Sequence, residues 1–188
     1  MVLSAQIIKA CWIIYFLYWV VSAWNVKATA EWQSVAGILS SRIPFLPGVI
    51  LLLGPRLPHP LDLLVLGPAD FTAPIGAAVC LLGLLGAIWS RKTLADNWSA
   101  LVIFKQGHEL ITTGPYRFVR HPIYTSILAL LLGTAIAAGR LASLLAMLFF
   151  FAGFWIKLKQ EETLMVGHFP EEYPAYQARV KALAPFVF

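Results

Sequence analysis

The sequence predicts an all-α integral membrane protein of about five transmembrane helices, and three observations carry that expectation. The 188 residues are 60% hydrophobic and only 12% charged, with a mean hydropathy of +0.77. That is too apolar for a soluble domain and too poor in polar residues for a disordered chain. The apolar residues gather in runs of the length a bilayer requires, about 20 residues of helix for a hydrocarbon core of about 30 Å. The basic residues lie between those runs, in the alternation that the positive-inside tendency produces. Such a chain leaves no room for a Rossmann domain, a P-loop domain or a large soluble catalytic unit.

Taken in order, Ala5 to Trp24 is the first span, with Lys9 inside it and able to snorkel to the interface. Ala28-Thr29-Ala30 imitates a signal-peptidase site, but the apolar run is long and nothing basic precedes it, so the span is expected to be retained. The second run, between Val35 and Gly54, is the weakest: Arg42, Pro44 and Pro47 crowd its start, and Pro55, Pro58 and Pro60 close it. Leu61 to Gly67 reads as a re-entrant or interfacial piece. Phe71 to Ser90 is the third span, and its Gly76, Gly83, Gly86 and Ala87 admit a close neighbour. Ile123 to Ile156 is too long for one span and divides at Gly139 and Arg140 into two that just cross. Residues 1–70 therefore form N-terminal spans with their loops, and 71–188 a core ending in a helix hairpin.

In this arrangement Lys27, Arg42, Arg91, Lys92, Lys105, Arg117, Arg120, Lys157, Lys159, Arg179 and Lys181 share one side, against Arg56 and Arg140 on the other. The bias predicts an external N-terminus and a cytoplasmic C-terminus. The net charge of +5 then belongs to topology and anionic lipid contacts; the cations form no continuous stripe of the kind nucleic acid requires. Cys11 and Cys80 sit in apolar runs and read as small core residues, giving neither a disulfide framework nor a metal site. No internal repeat supports a transporter.

The remaining polar residues form two blocks, Arg91 to Pro122 and Lys157 to Phe188, which the hairpin brings together at the cytoplasmic interface. Gly114-Pro115 marks a turn, and Pro122 suits the first position of a helix. The N-H groups of that helix start, beside Arg117, Arg120 and His121, offer a place for a carboxylate or phosphate. The same residues equally serve as headgroup anchors. Lys157 and Glu161 share a helix face at i and i+4. They form an intrahelical ion pair, or Glu161 meets the ammonium or sulfonium group of a ligand, since a carboxylate at that depth needs a partner.

The pattern Asn97-Trp98-Ser99, Gly107-His108, Gly114-Pro115-Tyr116, Arg120-His121-Pro122 with Tyr124, Glu161-Glu162, and Phe169 with Tyr173 and Tyr176 resembles the isoprenylcysteine carboxyl methyltransferase family. These are integral-membrane methyltransferases, with phospholipid N-methyltransferases as distant relatives. The resemblance covers about residues 75 to 188, and its specificity lies in the order and spacing of motifs that are weak singly. It implies a cytoplasmic site for S-adenosylmethionine, leaving as S-adenosylhomocysteine, and methyl transfer to a lipophilic or prenylated acceptor entering from the bilayer. No metal or nucleic acid is implied.

Carried over by matching positions, the resemblance implies cofactor binding by His108, Leu110, Tyr116, His121, Pro122, Tyr124, Glu161 and Glu162, with Lys157 and Glu161 as catalytic residues. Either glutamate can meet the donor's ammonium, and the helix start at His121 and Pro122 its carboxylate. A carboxylate acceptor is favoured; an amine acceptor, as in the phospholipid enzymes, and an NADPH-dependent sterol-type reductase are the alternatives. Lys157 stands where the prenylcysteine enzymes carry arginine, which keeps the charge and removes the bidentate grip on a carboxylate. Ser126 and Pro170 stand where the pattern usually has glycine.

Overall fold

A computed structural model describes residues 2–23, 35–54, 57–98 and 109–185. These residues form α1 (Val2–Ser22), α2 (Val35–Arg42), α3 (Phe45–Leu53), α4 (Ala69–Leu94), α5 (Pro122–Ala138), α6 (Leu141–His168) and α7 (Glu172–Arg179). Val2–Ser22, Val35–Leu53, Ala69–Asn97 and Leu141–His168 are long and apolar enough to cross a membrane, and Pro122–Ala138 is a shorter apolar helix. The protein is thus an all-α integral membrane protein, with the spans that the apolar runs imply.

The prolines divide the second span and do not block it. The α2 ladder closes with Ile43 N–H donating to Leu39 at 2.9 Å, and Pro44 then caps α3 with φ −62°. Pro47 falls in the first turn of α3, where a missing N-H costs nothing. α3 lies on α6 through Phe45, whose ring centroid is 5.0 Å from that of Phe154. α1 packs by its Cys11, Tyr15 and Trp19 face into the cluster around Cys80 and Leu130, and Trp12 Nε1 donates to Thr134 Oγ1 at 3.0 Å.

The small residues of α4 meet α5 backbone to backbone. A Cβ added to Gly76 would stand 2.3 Å from the Gly133 carbonyl oxygen, and one added to Gly133 would stand 2.5 Å from that of Gly76. Gly86 faces Ser126 in the same way, since its added Cβ would lie 2.7 Å from the Ser126 hydroxyl. Close backbone approach replaces the hydrophobic drive that is missing between helices in lipid. Cys80, fully buried here with Sγ 3.2 Å from the Leu130 carbonyl, is the small core residue its sequence context indicates.

Two stretches gain definite bounds. Leu61 to Gly67, expected as a re-entrant or interfacial piece, docks its backbone across the α5–α6 turn, with Val65 N–H donating to Gly139 at 2.8 Å and Leu141 N–H to Leu63 at 2.9 Å. Asp62 pairs with Arg140 there at 3.2 Å, and Gly139 takes the left-handed φ of 66° that ends α5. At its other end, α6 continues past Ile156 to His168. Hydropathy falls where the helix leaves the apolar region, but the hydrogen-bond ladder does not end there, so Lys157, Glu161 and Glu162 all ride on one unbroken helix.

Candidate functional site

The site lies at the end of the hairpin opposite the turn. Gly114, at φ +59°, starts a short 3-10 turn through Arg117 that buries Tyr116, and His121 is the residue before the first turn of α5. Beyond α7 the chain runs back along this segment. Arg120 N–H donates to the Lys181 carbonyl at 2.8 Å and His121 N–H to Ala182 at 3.0 Å, while the Thr125 hydroxyl donates to Leu183 at 2.7 Å. The tail's carbonyls therefore occupy these two donors beside the helix start that the sequence reading held open for an anion.

Six residues form a continuous polar network. Glu162 Oε1 accepts from Arg120 Nε at 2.8 Å and Nη2 at 2.5 Å, stands 3.3 Å from His121 Nε2, and its other oxygen is 3.5 Å from Lys159 Nζ. Glu161 accepts a hydrogen bond from the Tyr124 hydroxyl and has its second oxygen 3.5 Å from His121 Nδ1. His121 thus bridges the two carboxylates, its ring stacked on Tyr124 with centroids 5.5 Å apart. Burial by itself lowers the pKa of His121, but the hydrogen bonds and charges of Glu161 and Glu162 outweigh it and raise the value above the usual imidazole range.

Beside this network opens a cleft of about 850 Å³, counting all the non-atom space out to its open mouth. Tyr124, His121 and Glu161 form its polar wall, and Trp98, Tyr116, Tyr173 and Tyr176 its aromatic walls. Burial raises the pKa of Tyr116 and Tyr173 and pushes Tyr176 up to about 12, so these walls are neutral at pH 7. Tyr176 donates to the Tyr116 carbonyl at 2.5 Å and ties the two sides together. Side-chain exposure separates the paired glutamates: 24% for Glu161 and 6% for Glu162. Glu161 faces the cleft, and Glu162 stands behind it.

Leu110, Tyr116, His121, Tyr124 and Glu161 from the sequence reading come together around the cleft. Pro122 is buried in the first turn of α5. Lys157 lies one turn before Glu161 on α6, its amine 5.3 Å from the centre of the Tyr124 ring. His108 lies outside the described residues. Trp98, Tyr173 and Tyr176 carried the resemblance without being assigned to the site, and their aromatic character in polar blocks was the available signal. Asn97, Glu109, Leu164 and Met165 also line the cleft. Among the described residues no group of three or more His, Cys, Asp or Glu is arranged to hold a metal ion.

A family model for phospholipid methyltransferases matches residues 71–172, a stretch that includes the cleft's polar wall. The nickel-cobalt-cadmium resistance protein NccN of Alcaligenes xylosoxydans xylosoxydans is 33% identical over 114 residues, 59% of this chain and 52% of that protein. The protein-S-isoprenylcysteine O-methyltransferase of Schizosaccharomyces pombe is 33% identical over 95 residues, 49% of this chain and 40% of the enzyme. The cobalt-zinc-cadmium resistance protein CzcN of Cupriavidus metallidurans is 32% identical over 106 residues, 55% of this chain and 48% of that protein. The chain spans about half the length, or less, of these curated relatives. With more than half of its residues matched, and Arg120, His121, Tyr124, Glu161 and Glu162 inside the matched segment, the chain belongs to the phospholipid methyltransferase family of membrane methyltransferases.

Proposed function

We propose that the protein transfers a methyl group from S-adenosylmethionine to a lipophilic acceptor, most favourably a carboxylate, at a cleft on the cytoplasmic face. Residues 71–188 would form the catalytic core, with residues 1–70 as accessory spans, the N-terminus outside and the C-terminus in the cytoplasm. The observation that carries the reading is Glu161, which is the cleft-facing, half-buried neighbour of the buried Glu162 and is held at both oxygens by Tyr124 and His121.

The residues present fit such a donor. Glu161 is a fixed anion for an ammonium, and Trp98, Tyr116, Tyr173 and Tyr176 are neutral aromatic surfaces for an adenine. His121, held toward its cationic form by the glutamates, sets positive charge beside the cleft for a carboxylate. When bound, S-adenosylmethionine supplies a methyl group on a sulfonium for in-line displacement. The protein's contribution is to hold the acceptor atom about 3 to 3.5 Å from that carbon. Lys157, across the Tyr124 ring from the network, is assigned the orientation of the acceptor. A carboxylate is already ionised near pH 7 and needs no base. The family match also favours a second reading, an amine acceptor on a phospholipid.

Titration calorimetry of the detergent-purified protein with S-adenosylmethionine, S-adenosylhomocysteine and NADPH tests the donor. Binding of the adenosyl compounds alone is expected; selective binding of NADPH would overturn the reading. Labelled-methyl transfer to prenylcysteine carboxylates against lipid amines then chooses between the acceptors.

A further inference from the structure

The chain after α6 is attached to the site by one side chain more than by any other. Arg120 uses Nε and Nη2 on Glu162 of α6, and Nη1 on the backbone carbonyl of Val180, with Gln177 O at 3.4 Å. A single guanidinium thus joins α6 to the strap formed by α7 and residues 180–183. The strap supplies Tyr173 and Tyr176 to the cleft and buries Ala182 and Leu183 against Ile123, Tyr124 and Leu158. Arg120 and Glu162 are 10% and 6% exposed at their side chains, so the pair is desolvated and depends on its full set of hydrogen bonds.

We propose that Arg120 is a positioning residue, the latch that holds this C-terminal strap closed as one wall of the cleft, and that the cleft opens by release of the strap. The planar fork of arginine suits the task because it reaches a carboxylate and a carbonyl from one rigid group, which an ammonium cannot do. The strap's other hydrogen bonds to this segment are two backbone N–H bonds, the Thr125 hydroxyl on Leu183 and the Tyr176 hydroxyl on Tyr116, and none of them reaches α6. The two tyrosines leave the cleft together with the strap, so ligand occupancy and strap docking are thermodynamically linked. This linkage rests on the donor reading above, whereas the latch does not.

The test is hydrogen exchange on the full-length protein in detergent, without ligand, comparing wild type with Arg120→Ala and Arg120→Lys. Amide exchange over residues 172–183 is expected to rise about tenfold or more in Arg120→Ala and by less in Arg120→Lys, with α4 and α5 unchanged. Unchanged exchange over 172–183 in Arg120→Ala overturns the latch. Should that variant fail to fold, Arg120→Lys decides by the same criterion. Affinity for S-adenosylhomocysteine and for methylthioadenosine, which lacks the amino-acid carboxylate, provides the second readout. A latch weakens both by the same factor, about tenfold. A loss confined to S-adenosylhomocysteine makes Arg120 a direct carboxylate ligand and overturns the positioning role. Failure of wild type to bind either compound sinks the donor reading, while the exchange data still decide the latch.

Discussion

The α5–α6 hairpin carries an arginine–carboxylate pair at each end, and the two pairs differ in distance and in burial. At the turn, Arg140 and Asp62 stand 3.2 Å apart with side chains 43% and 34% exposed. At the opposite end, Arg120 and Glu162 stand 2.5 Å apart with 10% and 6% exposure. The side chains of the first pair keep part of their exposure, although the Asp62 oxygen that meets Arg140 is itself buried, and partly exposed pairs of this kind contribute about 0–1 kcal/mol. The second has lost its water, so its charges must be satisfied by Arg120, His121 and Lys159 or not at all. One end of the hairpin is a fastening. The other holds desolvated charge, which His121 bridges to Glu161.

The comparison breaks most sharply at Glu161. Glu161→Ala is expected to weaken binding of S-adenosylhomocysteine by about 100-fold or more, the scale for deleting one partner of a desolvated charge contact; calorimetry showing unchanged affinity would remove Glu161 from the donor site. The shaft between the two ends comes next. Gly133→Val forces apart backbones that already leave no room for a Cβ, and thermal unfolding in detergent should show a loss of about 1–3 kcal/mol or more.

Lys157→Ala is expected to lower turnover about tenfold while leaving donor affinity within about twofold, the signature of an acceptor-side contact. Equal losses in both would place Lys157 with the donor instead. The bridging imidazole gives a pH dependence. The folded pKa of His121 is raised above the usual 6.5, so its stabilising contribution is full below 6.5 and lost as pH rises through the folded value. Melting temperature should therefore decline over that window, and His121→Gln should flatten the decline. Smallest of all, Asp62→Ala at the turn should cost about 0–1 kcal/mol and leave donor affinity untouched. A large effect there would erase the contrast between the two ends.

Much of the site was legible because its chemistry is expensive in a membrane. Glu161 stands out in an apolar chain since a carboxylate needs a partner at that depth, Gly114 and Pro122 mark the turn and helix start beside His121, and Tyr124 is reached through the family resemblance of its motif. The strap was not legible. Tyr173 and Tyr176 lie on a short helix whose role depends on where the chain folds back, and Ala182 and Leu183 carry no polar signal at all. Nor did the doublet Glu161-Glu162 disclose its own division of labour. Adjacent residues on a helix point about 100° apart, and only the position of Arg120 determines which of them faces inward.

The sequence by itself determined the spans, the hairpin with its turn at Gly139, the close seam of α4 on α5 and the family's polar motifs. These follow from hydropathy, side-chain size and backbone stereochemistry, which act over a few residues. Tertiary structure alone decided that residues 61–66 seal the turn, and that Arg120 faces Glu162 and the returning tail. Those outcomes depend on contacts between residues 42 to 81 positions apart, where local preference is silent and the satisfaction of buried charges and backbone hydrogen bonds selects the arrangement.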